Sequence, residues 1–151
     1  MAPLDDQELS TAIQNADSPE WAVRGAAGRR IAGSDRIEEV AGVIQRLLLD
    51  AQDTWVIQET AEALLEREDT IGLRHVLLAY SQAGSYDVVD QLGAALDCKP
   101  VWMTTEGADR LIKQCRELAT DRDAGVRGEA QQILAKLRPR EEWARAPEAD
   151  D

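Results

Sequence analysis

Phenylalanine is absent from this chain, and the aromatic residues make up only 4% of it. Strand-rich proteins draw heavily on aromatic and β-branched residues, so a core of Leu, Ala, Ile and Val points instead to helices. There are two cysteines, Cys98 and Cys115, and one histidine, His75. The cysteines lack CxxC spacing, and a single imidazole adds little to them, which argues against a metal site or a disulfide scaffold. Two buried thiols in a reducing compartment is the expected state. No run approaches the ~20 apolar residues of a membrane span. Residues 1–16 carry Asp5, Asp6 and Glu8 and no signal-peptide pattern, so a cytoplasmic location is expected. Phosphate-cradling, zinc-protease and nucleophile-elbow motifs are also missing.

Acidic residues are plentiful. The chain has 29 acids against 17 bases, a net charge of −12. Phosphate backbones and anionic membrane surfaces repel such a surface, so nucleic acid and membrane are not the expected partners. A basic protein would be attracted and its encounter accelerated. The same charge also serves solubility. The middle is most acidic: residues 51–98 hold nine acids and two bases, a net of −7, whereas residues 1–50, with nine acids and five bases, carry −4.

Read from the start, Leu4, Leu9, Ile13 and Ala16 give a short leading helix. Ser18-Pro19-Glu20 is a helix-start signal, and Val23, Ala27 and Ile31 follow on one face up to Gly33. Asp35 with Glu38 has capping-box spacing ahead of the stripe Ile37, Val40, Ala41, Ile44, Leu47 and Leu48. Asp53 opens the next helix, Asp69 its partner, and Ser85 a further one. Pro100 breaks the chain. Thr104 or Thr105 begins another helix, and Asp121 or Asp123 a last one that Pro139 is expected to end. We expect one domain over residues 1–138 and a charged, mobile tail over 139–151. Trp143 stands out in that tail as a residue able to fold back.

The pattern repeats. Superimposing Trp21 on Trp55, an offset of 34, brings Val23 onto Ile57, Ala27 onto Ala61 and Ile31 onto Leu65. A further 31 brings these onto Val88, Leu92 and Leu96, and a further 38 onto Val126, Ala130 and Leu134. The segments Trp21–Ala27 and Ala124–Ala130, each with Val-Arg and a small residue three positions on, resemble the HEAT-repeat signature. Asp123 before Val126-Arg127 matches it well. Gln58 and Val89 depart from it where the arginine would stand. The resemblance covers roughly residues 17–137. It implies an all-α, right-handed α-solenoid of about 3.5 antiparallel helix pairs with a short N-terminal capping helix, and it implies no particular activity. Stacked pairs would share one apolar seam, since one pair cannot bury both faces.

No residue set reads as catalytic, and no cofactor or metal is assigned. Two surfaces are candidates for binding. Glu59, Glu62 and Glu66 fall opposite one apolar face, and the repeat places Asp90 over Glu59 and Asp97 over Glu66, with Asp87 as an extension. Side by side they would build an acidic ridge, although a solvated outer face has the same look. The second helices of the pairs would line a concave side with Glu38, Glu39, Arg46, Arg74, His75, Lys113 and Gln114. His75 is expected to be partly exposed there. Tyr80, Trp55 and Trp102 serve either as aromatic anchors or as cover for the core.

These features lead us to expect a non-catalytic protein-binding module, monomeric when free. Its sharper form is an acidic immunity or antidote-type protein that neutralises a basic protein such as a toxin. HEAT-like repeats also occur in phycobilin lyases and in one class of DNA glycosylases, so a lyase-type enzyme or a regulatory subunit is the alternative. The glycosylases need a basic concave face, which this sequence does not provide.

Overall fold

A computed structural model describes residues 3–97 and 100–145, with side chains over 3–97 and 102–137. The described residues form eight α-helices and no strand. No helix among them is long and apolar enough to cross a membrane. They divide into two compact units, residues 1–99 and 100–151.

The first unit holds six helices: α1 (Asp6–Ala16), α2 (Trp21–Ala32), α3 (Ala41–Leu48), α4 (Thr54–Glu66), α5 (Thr70–Gln82) and α6 (Tyr86–Asp97). Side-chain caps fix several starts. Asp5 and Glu8 form a capping box on α1, Asp53 accepts from Trp55 N, and Asp69 accepts from Gly72 N. Each satisfies a backbone donor that the helix leaves without a partner.

Two starts differ from expectation. Ser18 does not cap α2: its hydroxyl accepts from Glu20 N in a local turn, and the helix begins at Trp21. The Asp35–Glu38 spacing does not open one continuous helix either. Residues Ile37–Val40 form a 3-10 turn before α3. Arg36 holds this stretch by reaching the Asp6 carboxylate at 2.7 Å and the Leu4 carbonyl, contacts more than 29 residues away that no local pattern reveals.

Packing follows the chain in two rows. α2 lies against α1 and α4, and α4 also lies against α6; α3 lies against α5. Chain neighbours α2/α3, α4/α5 and α5/α6 pack together as well. α2 and α4 run in the same direction. Gly25 of α2 faces Trp55, Gly28 faces Thr60, and Arg29 reaches as far as Glu66. The seam is aliphatic: Ile31, Ile44, Leu48, Val56, Ile57, Leu64, Val76, Leu77 and Leu92 are fully buried. Burial of each such side chain contributes roughly 1.5–3 kcal/mol before conformational entropy is subtracted.

The second unit comprises a 3-10 turn (Pro100–Met103), α7 (Thr105–Leu118) and α8 (Ala124–Arg145). Thr104 caps α7 through Gly107 N at 3.0 Å, and Asp123 accepts from Val126 N at 3.0 Å. Leu111, Cys115, Leu118, Val126 and Ala130 are buried. Burial pushes the Cys115 thiol up to about 12, which keeps it protonated and unreactive. The helix does not stop at Pro139 but continues to Arg145. A helix-interior proline removes one backbone bond and crowds the carbonyl four residues back; Ala135, Leu137, Arg140, Glu141 and Glu142 around it are strong helix formers. Cys98, the end of the tail and the Trp143 side chain lie outside the described residues.

Candidate functional site

Most positions aligned by the repeat lie inside, with Val23, Leu96 and Leu134 half-buried. Ala27, Ala61, Leu92 and Ala130 are all buried, as are Ile57, Val88 and Val126. The two arginines of the Val-Arg segments do matching jobs. Arg24 Nη1 donates to the Ser18 carbonyl at 3.0 Å, and Arg127 Nη1 donates to the Asp121 carbonyl at 2.8 Å, each six residues back. Each ties its helix to its own entry loop. Arg24 also donates through Nε to Asp50 at 2.9 Å, with both side chains about nine-tenths buried. Asp50 in turn accepts from the Gln52 and Asp53 backbone amides, which fixes the turn into α4.

The expected acidic ridge divides into two parts with different electrostatics. On α4, the three carboxylates converge on one cation. Arg29 of α2 meets Glu59 at 2.7 Å, Glu66 at 3.1 Å and Glu62 at 3.6 Å. Hydrogen bonding to Glu59 first, and to Glu66, raises the guanidinium pKa further. Glu62 also accepts from Gln58. On α6 the picture is the opposite. Asp87, Asp90 and Asp97 are exposed, α6 contains no basic residue, and none of the three has an ion-pair or hydrogen-bond partner among the described residues.

The second surface keeps fewer of its expected members. His75 is not a surface residue: it is 2% exposed on α5. Its Nε2 lies 3.2 Å from Glu38 Oε1, while Nδ1 is buried without a partner. The imidazole stands on the face of α5 turned toward α3, where Gln45 Nε2 donates to its own carbonyl at 3.0 Å. Burial lowers its pKa and outweighs the opposing pull of Glu38. Arg74 is half-buried beside it. Arg46 is paired with Asp17 at 2.6 Å, and Glu39 with Arg36, whose guanidinium holds that carboxyl below the usual range. Tyr80 is half-buried close to Gly93 and covers the α5–α6 contact. Trp102 is half-buried in the second unit.

At the starts of the helices stand Trp55, expected as an anchor or as core cover, and two residues not anticipated as functional, Trp21 and Tyr86. Trp21 is 50% exposed, Trp55 37% and Tyr86 80%. The Trp21 and Trp55 rings meet edge to face, centroids 5.0 Å apart and planes at 79°. Gly25 makes this possible, since a Cβ there would overlap the Trp55 ring. The offsets of 34 and 31 already set Trp21, Trp55 and Tyr86 in register, and this was the signal that could have found them.

The described structure thus defines an all-α protein with helix rows and strongly acidic exposed stretches. Comparison with protein-family models, with curated proteins and with solved structures gives no match to this chain.

Proposed function

We propose that the chain is a HEAT-like right-handed solenoid that binds a basic protein and has no catalysis of its own. Rows α1–α2–α4–α6 and α3–α5 suit such stacking in the first unit, and the sequence repeat sets α8 in register with α2, α4 and α6, with α7 in the place of a second helix, which gives about 3.5 pairs. The observation that carries the binding reading is the α6 surface. Three exposed carboxylates on one helix, with no cation paired to them among the described residues, would gain from a cationic partner. The α4 carboxylates, already matched by Arg29, contribute less. An immunity or antidote-type role, in which the partner is a basic toxin, is the specific form of this reading.

The test is affinity capture with the full chain as bait, alongside a bait carrying Asp87→Asn, Asp90→Asn and Asp97→Asn. The expected result is a basic protein retained at low salt, released near 0.5 M salt, where screening extends to about 4 Å, and retained poorly by the triple variant. A partner of acidic or neutral surface, or one held equally by both baits at either salt, would overturn the reading.

A further inference from the structure

α2, α4 and α6 lie side by side in that order. α2 and α4 are parallel. Short connections at residues 67–69 and 83–85 join α4, α5 and α6, and α6 packs against α4. The starts of α2 and α4 meet at one edge of the first unit, where Trp21 and Trp55 touch, and α6, which packs on α4, likewise begins with an exposed aromatic ring, Tyr86. Exposed aromatics in a monomeric protein are usually scattered; here they recur at the repeat interval and two of them touch.

Each ring has a carboxylate close in sequence: Glu20 before Trp21, Asp53 before Trp55 and Asp87 after Tyr86. Helix N-termini carry about half a positive charge and by themselves favour anions; these acids offset it, and Asp53 does so directly by accepting from Trp55 N. The one basic residue in the first two turns of these helices, Arg24, is consumed by Asp50. The first turns of these helices thus combine ring faces with negative charge and carry no exposed cation of their own; Arg46, exposed beside the loop before α2, is paired with Asp17.

We infer that this aromatic row is a docking edge for an extended, arginine- or lysine-bearing segment of a partner, whose cations sit on the rings. The inference rests on the basic-partner reading and adds where and how that partner is held. Packed helices lie about 8–10 Å apart, and a chain extended as polyproline II advances about 3.1 Å per residue and returns to the same face every third residue. One cation per helix therefore requires a basic residue at every third position. Cation–π contact favours arginine, whose planar group also stacks.

The test uses the full chain and a fluorescein-labelled peptide of three consecutive Arg-Gly-Ser units, read by fluorescence anisotropy at low salt. The comparison peptide has the same composition with its arginines adjacent. The spaced peptide should bind more tightly, with Trp21→Ala and Tyr86→Ala each weakening it by about 2- to 5-fold and Tyr86→Phe, which keeps the ring, leaving it unchanged. Circular dichroism checks that the variants stay folded; Tyr86, being 80% exposed, removes little packing. Binding that follows peptide charge alone, indifferent to spacing and to both ring deletions, overturns the aromatic row and leaves the basic-partner reading standing. No binding of either peptide overturns both.

Discussion

Arg29 shows how one residue changes the meaning of three others. In the sequence Glu59, Glu62 and Glu66 read as an open acidic stripe, because Arg29 stands 30–37 positions away from them; in the fold it lies among all three. Replacing it with methionine should cost about 1 kcal/mol, since these pairs are only partly buried. It should also leave three uncompensated carboxylates and speed association with a basic partner. A denaturation midpoint and a stopped-flow rate on the same variant separate the two effects. Arg24 behaves differently because its pair with Asp50 is buried. Arg24→Met strands the Asp50 carboxylate, and urea denaturation should show a loss of about 3–5 kcal/mol.

His75 adds a pH response. Burial lowers its folded pKa below the ordinary 6.5, despite the neighbouring Glu38 carboxylate and with Arg74 and Arg67 also disfavouring the charge. The unfolded chain then binds the proton more readily. Stability is complete above the unfolded value and is lost as pH falls below about 6.5 toward the folded value, by at most about 1.4 kcal/mol per pH unit. Urea midpoints at about pH 7.5 and 5.5 should therefore drop more for the natural chain than for His75→Gln. An equal drop in both would show that the imidazole is not the group responsible.

Among the elements, starts that depend on a nearby side chain were legible: Asp53, Asp69 and Thr104 cap where the sequence suggested. Starts that depend on distant groups were not. Arg36 fastens the 3-10 turn through Asp6, and Arg67 seals the end of α2 by donating to the Ala32 and Ser34 carbonyls at 2.9 and 2.7 Å. The internal repeat was legible because buried positions such as Ala27, Ala61 and Ala130 keep their spacing. The burial of His75 was not, since its flanks Arg74 and Val76 give no net polarity signal. Close helix contact also sets limits. A Cβ on Gly72 would overlap the Leu64 carbonyl oxygen, which is backbone and cannot rotate away. Gly72→Ala must therefore separate α4 from α5, and we expect a loss above about 2 kcal/mol. Gly42→Ala, where a Cβ meets nothing, should be neutral or stabilising by up to about 1 kcal/mol. Thermal denaturation of the two variants side by side tests the contrast.

For the whole molecule, the net charge of −12 is an argument about encounters rather than about fold. Its distribution matters more than its sum. Among the described residues α6 has no cation paired with its carboxylates while α4 has Arg29, so the basic partner we propose would be drawn to α6 and to the aromatic residue with which it begins. The most direct measurement is the association rate constant of the chain with its captured partner as ionic strength rises from about 0.02 to 0.5 M. The account predicts a fall of about 10- to 100-fold, much reduced when Asp87, Asp90 and Asp97 are asparagine. A rate that stays flat with salt, or one that falls as steeply in the triple variant, would contradict it.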